Sequence, residues 1–330
     1  MAENKKNISS ISISGEITLN LHSLNNEGGE GNQIITRQVT IVDKEGETHT
    51  VNAISGDMFK HIHAVHLAQL AKEQGLALSK YAEALNPNRI SKNDFENYFE
   101  KDKKRKNESS ADIITAMIDI CTVCDTHGIL ITDKIGENKN SSNTPRKSTV
   151  EFGWTVGIPN KTNTESYLHT KLVTNAGSTE TTGSNEGQNI FHRPANHGVY
   201  AFVCSIDVYR IGFNDISRSY PINDEDRLNR YRALVQSLLS SFINPKGAMT
   251  STQKPHITDF KGVVAISKKL TPAPTISAIN KSYKEEIAKI AVSLNNIDSE
   301  MIELKDFNGM GELSEVLSDL INNSEPYKIS

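Results

Sequence analysis

A strand, a glycine-rich loop, a hairpin and a serine-glycine turn at a helix start follow one another between residues 11 and 69, and no other stretch restricts the fold so tightly. Ile11-Ser-Ile-Ser-Gly-Glu-Ile-Thr-Leu-Asn-Leu21 alternates apolar and polar positions, the period of a strand with one buried face. Ser23-Leu-Asn-Asn-Glu-Gly-Gly-Glu-Gly-Asn32 reads as a polar loop, and Asp43-Lys-Glu-Gly46 as the turn of the hairpin that follows. Val51-Asn-Ala-Ile-Ser-Gly-Asp-Met-Phe-Lys-His61 then enters a helix whose broad apolar face (Met58, Phe59, Ile62, Val65, Leu67, Leu70, Ala71) stops at Gly75. The free amides of the first helical turn and the helix dipole favour an anion there, and Lys60 adds a full charge. No glycine-lysine-serine loop or dinucleotide fingerprint accompanies the turn, so the expected anion is a backbone phosphate and not a mononucleotide. The same residues also describe an ordinary capped helix with a solvated lysine, and spacing alone does not choose.

The chain of 330 residues is long enough for one large domain with insertions or for two domains. No apolar run is long enough to span a membrane, and the opening Met-Ala-Glu-Asn-Lys-Lys leads into no apolar segment of a secretory signal, so a cytoplasmic location is expected. Three cysteines cannot all pair, and nothing points to an oxidising compartment. Cys121-Thr-Val-Cys124 with His127 resembles half of a zinc or redox motif. It lacks a second pair, and both cysteines continue the apolar face of Ile113, Ile114, Met117, Ile118 and Ile120, so they read as core. His61, His63 and His66 do not share one helical face and have no general base between them, which argues against a metal site. No cofactor and no metal are expected.

The net charge of −4 argues mildly against nucleic-acid binding, but its distribution weakens the argument. Residues 281–330 carry 5 Lys and Arg against 10 Asp and Glu, which leaves the remainder at +1 with local basic clusters. There is no strong basic stripe of the kind a free-standing binder needs. The pattern suits a protein that binds nucleic acid as one member of an assembly.

Further along, residues 76–150 change character: short helical pieces at 78–85, 94–100 and 111–124 are separated by Asn-Pro-Asn and by the charged run from Lys101 to Asn107. Residues 149–158 and 166–173 read as two strands, and Asn175 to Asn189 as the low-complexity tip of a long hairpin. Gly198 to Gly212 is a long strand, Asp224 to Ile243 a helix capped by Asn223 or Asp224, and Lys261 to Ile266 a strand. Residues 282–294 and 312–322 read as helices. The order predicts an α+β fold that fits a ferredoxin-like or RRM-like sheet with two helices on one face.

At this point the residues resemble a known family. Ser12-Ile-Ser-Gly-Glu-Ile-Thr-Leu-Asn-Leu-His-Ser-Leu-Asn-Asn-Glu-Gly28 through Arg37, then Ala53-Ile-Ser-Gly-Asp-Met-Phe-Lys-His-Ile-His63, resembles the DevR-type autoregulators, backbone subunits of type I CRISPR effector (Cascade) complexes within the RAMP superfamily. Ile54-Ser-Gly-Asp-Met-Phe-Lys60 is similar to the turn and helix widespread in that superfamily. The likeness is closest over residues 10–75 and is supported by 199–211, 224–243 and Gly247-Ala-Met-Thr-Ser251. It implies an RRM-like palm (1–75 and 198–280), a helical finger insertion (76–159), a hairpin thumb (160–197) and a C-terminal helical segment (281–330). The implied partners are CRISPR RNA, copies of the chain stacked head to tail, other effector subunits and, indirectly, target DNA, with no membrane. Base pairing would supply sequence recognition while the protein holds backbone and shape.

The resemblance favours a phosphate grip by Ser55, Gly56, Lys60 and His61. It also favours RNA lying along the 23–32 loop at Ser23, Asn25, Asn26 and Gly28, where glycines allow close approach, with Arg37 as a further contact. Arg193 beside Phe191 and His192 is expected near a flipped base, and Met249 and Lys254 along the RNA; plain packing or solvation fits these residues equally. The run from Lys101 to Lys106 reads as a solvated loop or as a finger tip touching target DNA. No catalytic residue is assigned. A RAMP-type endoribonuclease would need His22 or His61 working with Lys60, and neither has an evident partner. A transcriptional autoregulator would need a recognition helix, and none is evident.

Overall fold

A computed structural model describes the protein over residues 5–102, 109–135, 143–172 and 188–329. Among these the chain runs β1 (Lys6–Ile8), β2 (Ser10–His22), β3 (Asn26–Glu30), β4 (Gln33–Thr36), β5 (Gln38–Val42), β6 (Thr48–Ile54), α1 (Gly56–Glu73), α2 (Lys80–Glu83), α3 (Lys92–Lys101), α4 (Ser110–Ile120) and α5 (Thr122–His127). It continues through β7 (Ile129–Ile131), β8 (Thr144–Arg146), β9 (Val150–Phe152), β10 (Thr155–Leu172), β11 (Gln188–Ile206), α6 (Asp224–Ile243), β12 (His256–Ser267), α7 (Tyr283–Ile297), β13 (Ile302–Asn308), α8 (Met310–Asn323) and β14 (Ser324–Pro326). The main sheet has the order β13-β12-β2-β11-β10-β6-β5, antiparallel at every step, with β9 paired to β11 beside β10.

Both faces of this sheet are covered. On one, Ile11, Ile13, Ile17 and Leu19 of β2, Tyr200 and Phe202 of β11 and Phe260 and Val264 of β12 pack against α1, α6 and α8 through Phe59, Leu234, Leu238, Phe242 and Leu317. On the other, Ala201, Val263 and Ala265 meet Ala278 and the α7 side chains Tyr283 and Ile287. The alternation in β2 suggests that Ser10, Ser12 and Ser14 face solvent, yet all three are buried. The 271–275 strap lies over the first two: Ser10 Oγ donates to Thr271 O (3.0 Å) and accepts from Ala273 N (2.8 Å), and Ser12 Oγ donates to Pro274 O (2.6 Å), while Ser14 Oγ is buried without a hydrogen-bond partner among the described residues. The hydroxyls of Ser10 and Ser12 satisfy the covering backbone, where apolar residues would orphan the strap's carbonyls.

The residues after α1 build a second core. Phe95, Ile113, Ile114 and Met117 pack on Leu67 and Ala68 of α1 and Ala233 of α6. Cys121 and Cys124 lie in this core, and all three cysteines are free and buried. Beneath it, buried Asp125 accepts from Arg146 (2.7 Å), Arg230 (3.0 Å) and the amide of Gly212 (2.9 Å), which fastens α5 to β8, α6 and the chain after β11.

Four expectations change. The glycine-rich stretch 23–32 is not an open loop, because β3 pairs with β4 with Gly28 opposite Ile35 and Gly29 opposite Ile34, the isoleucines supplying the strand preference that glycine lacks. The helix expected over 111–124 breaks at Cys121, which is extended and whose Sγ accepts from Cys124 N at 3.4 Å. The two strands expected over 149–173 become β9 and a single β10, carried through its polar middle by the continuous partner β11, with a register shift between Gly157 and Thr162. Residues 281–330 are not only helical: β13 extends the sheet, its Glu303 and Lys305 placing charge on the outer edge, and β14 pairs in parallel with β1. The stretches 173–187 and 103–108, which hold most of the expected hairpin tip and charged finger run, lie outside the described residues.

Candidate nucleic-acid interface

The start of α1 is built as its sequence implies. Ser55 is extended (φ −65°, ψ 150°), and its hydroxyl accepts the amide of Met58 at 3.2 Å, an N-cap. Gly56 is required by packing: a Cβ there would lie 2.3 Å from the carbonyl oxygen of Phe152 in β9. Ser55 and Gly56 are therefore buried positioning residues, while Lys60, half-buried, and His61, exposed, are the members of the group that reach the surface. Burial first, and then the neighbouring Arg89 charge, pull the Lys60 ammonium below the ordinary lysine value. Gly247 packs on this surface in a left-handed conformation (φ 97°), where a Cβ would come within 2.9 Å of His61 Nε2. The other helix histidines point elsewhere: His63 is buried, bonded to His127 Nε2 (2.7 Å) and Leu234 O (3.1 Å), and His66 bonds Asn244 O (2.7 Å).

A buried polar network couples the helix start to the β3–β4 hairpin. Asn25 Oδ1 accepts the amide of Ser55 (2.7 Å), and Asn25 O accepts the amide of Arg37 (3.2 Å). The Nδ2 groups of Asn52 and Asn196 both donate to Thr36 Oγ1 (2.8 and 2.9 Å), and Tyr200 donates to Asn52 Oδ1 (2.8 Å). The tyrosine proton is thereby committed, so His22 donates from Nε2 to the Tyr200 oxygen (3.0 Å) and stays neutral, with burial pulling its pKa down to about 3. His22 is thus a structural residue, unavailable as the base that the ribonuclease alternative needs. Ser23 is buried as well, donating to Asn26 Oδ1 (2.8 Å), so of the hairpin candidates only Asn26 and Gly28 reach solvent. Arg37 is not a free cation. Its Nε sits 2.8 Å from Glu27 Oε1, and its guanidinium lies over the Trp154 ring, 5.5 Å from the centroid.

Arg193 forms a second patch on the β10–β11 ribbon. It stacks over Phe191 (4.9 Å) and donates to Thr252 Oγ1 (3.2 Å), while Gln253 donates to Pro194 O (2.9 Å). Lys254 is exposed and lines, with Tyr167, His169 and Leu21, a cleft of about 640 Å³. The segment 244–256 therefore joins the two patches: Gly247 touches His61 at one end, Thr252 and Gln253 hold Arg193 and Pro194 at the other, and half-buried Met249 lies between.

The family described as CRISPR-associated negative auto-regulator DevR/Csa2 matches residues 13–288, which takes in the helix start, the polar network, the ribbon and the connecting segment. The chain belongs to the DevR/Csa2 family. A CRISPR-associated protein Cas7/Cst2/DevR of Methanocaldococcus jannaschii is 24% identical over 325 residues, covering 93% of this chain and 95% of that protein. Among solved structures, a chain of a CRISPR RNA-guided surveillance complex aligns over 94% of this chain and 98% of its own length (TM-score 0.44, 9% identity), and Thermofilum pendens Csc2 over 96% and 85% (TM-score 0.38, 14% identity).

In this DevR/Csa2-family chain, sequence reading missed three features beside the expected site. Trp154 under Arg37 is the chain's one tryptophan, next to a strand break, which was a usable signal. Arg89 beside Lys60 comes from the expected 76–159 insertion and had no local signal except the Asn86-Pro-Asn-Arg89 turn. Asp43, Glu47 and His49 bring ligand atoms within 4.8 Å of one another at the β5–β6 turn. There Asp43 already bonds His49 (2.7 Å) and accepts the amides of Glu45 and Glu47. No helix among the described residues is long and apolar enough to cross a membrane.

Proposed function

We propose that this chain is a non-catalytic, CRISPR RNA-binding backbone subunit of a type I CRISPR effector complex, which stacks with copies of itself along the RNA and leaves the bases free to pair with target DNA. Membership of the DevR/Csa2 family supports the assignment to CRISPR effectors. The observation that carries RNA-backbone binding is the convergence of Lys60 and His61, the 247–254 segment and Arg193 on one connected surface, with no helix among the described residues presented as a base reader. The strand order β12-β2-β11-β10, with α1 and α6 packed on one face, supports an RRM-like palm. The insertion of 76–159 then serves as finger and the β10–β11 ribbon as thumb. Because the 271–275 strap and α7 cover the other sheet face, the RNA is expected at the helix start and ribbon and not across the open sheet.

Two features support a non-catalytic role: the Glu27 carboxylate is engaged by Arg37, and His22 is buried and neutral. Titration of unrelated single-stranded RNAs of equal length should give similar affinities that fall with salt, because each phosphate contact releases counterions. A strong preference for one short sequence, or no binding, rejects the reading. RNA recovered from protein purified out of its native cell should be short and share a repeat-derived end.

A further inference from the structure

A cavity of about 300 Å³ opens between the first turns of α1 and the turn that follows α2. Lys60 and His61 line it from the helix, Asn86 and Arg89 from the insertion, and Asp57 sits on its wall. Lys60 and Arg89 are each half-buried, and among the described residues neither is in an ion pair. Two like charges held at one cavity raise each other's energy, which the nearby Asp57 and Glu151 carboxylates offset in part at Lys60, and an anion between the two cations removes the rest of that penalty. Arg89 is also held there against its backbone preference. Its φ is +49°, a left-handed conformation that non-glycine residues rarely adopt and that persists only when surroundings enforce it. The enforcement is visible: the Arg89 amide donates to Asn86 O (2.9 Å), Arg89 O accepts from Ser79 Oγ, and Nη1 donates to Gly128 O (2.7 Å). With Nη1 committed, Nε and Nη2 remain as the donor edge of the fork.

We propose that this cavity binds a single phosphodiester of a nucleic-acid backbone between Lys60 of α1 and Arg89 of the insertion, so that finger and helix start close on the same phosphate. The proposal rests on the reading that the chain binds RNA through its backbone, and it adds a residue and a coupling which that reading lacks. An arginine edge and a phosphate match as paired donors and acceptors, while the lysine contributes a point charge. Fixing one phosphate from two chain segments would also set the insertion's position relative to the RNA path.

The test titrates one single-stranded RNA at several salt concentrations against the full-length protein and four variants: Lys60→Ala, Arg89→Gly, Arg89→Lys and the Lys60→Ala/Arg89→Gly double. Glycine suits a left-handed backbone, so Arg89→Gly removes the guanidinium without adding strain, and thermal melting checks that it folds. Each single loss should lower affinity about tenfold and reduce the slope of log affinity against log salt by about one. Arg89→Lys should fall between wild type and Arg89→Gly. The double variant should lose less than the product of the single losses, because both residues hold the same phosphate. If Arg89→Gly binds as wild type while Lys60→Ala is weakened, the two-residue site is wrong and the RNA-binding reading stands. If both single losses multiply fully in the double variant, the two residues hold separate phosphates and the shared site is wrong. If the wild-type protein binds no RNA, the reading beneath the proposal falls with it.

Discussion

Glu27 is the residue that most changes the expected interface. Sequence reading offers Arg37 as a phosphate contact and Glu27 as a member of the same polar stretch; in the folded chain they are partners. Glu27→Gln should release Arg37 and remove a negative charge beside the RNA, raising affinity a few-fold and steepening the salt dependence. Unchanged or weaker binding would place Arg37 outside the interface. Buried histidines govern a second prediction. Burial, with a small further push from His197, holds His22 down to about 3. Burial lowers His63 to about 4, and His127 lies well below its ordinary value through burial and then the neighbouring His63. The unfolded chain takes up these protons near pH 6.5 while the folded chain does not. Their contribution to stability is therefore full above that pH and is lost as pH falls toward about 4, at about 1.4 kcal/mol per pH unit for each histidine. Urea midpoints should drop steeply from pH 7 to pH 5, and a flat profile would show that the rings find solvent or a counter-ion.

Elements here are joined by polar side chains as much as by apolar contact. α5 is only six residues long, yet its Asp125 organises two buried arginines from β8 and α6 and an amide from the chain after β11. Removing that carboxylate leaves the buried Arg230 without its acidic partner and Arg146 with Asp215 alone, so Asp125→Ala should cost about 3–5 kcal/mol in urea unfolding. A loss below about 1 kcal/mol would mean that Asp215, at 2.8 Å from Arg146, and the carbonyl of Ile118, at 2.7 Å from Arg230, suffice for the two arginines. The β3–β4 hairpin is seated in the same manner, by Asn25, Thr36, Asn52 and Asn196. Closely satisfied networks of this kind position an element more narrowly than an apolar contact of equal area.

For the whole molecule, the chemistry follows from where the acids and bases end up. Glu30 sits exposed at the end of β3, Glu27 is paired, and His22 is sealed in the network. Catalysis needs groups held in tight mutual geometry, and these are held apart or held for another purpose. Guide-loaded complex given complementary RNA with Mg²⁺ or Mn²⁺ should leave it intact. Regularly spaced cuts that disappear in Glu27→Ala or Glu30→Ala would overturn the non-catalytic reading.

The local signals were strong where short-range physics dominates. The N-cap at Ser55, the bounds of α6, the hairpin turn at Asp43 and the apolar faces of α1 and α4 all follow from residue spacing, because caps, turns and helical periodicity are set within a few positions. The helix start and its surface lysine were legible for the same reason. What lay beyond the sequence depends on partners distant along the chain. Ser10 and Ser12 of β2 are buried because a strap some 260 positions away lies on them, and the Gly28–Gly29 stretch is a strand because Ile34 and Ile35 pair with it. Ser23, Asn25 and His22 became framework because Tyr200, Asn52 and Thr36 converge on the same buried point. Arg89 shares a cavity with Lys60 only because the insertion folds back on α1. Residue type and spacing decide which elements can form; which polar side chain is spent inside and which is left for a ligand is decided when burial forces each donor and acceptor to find a partner.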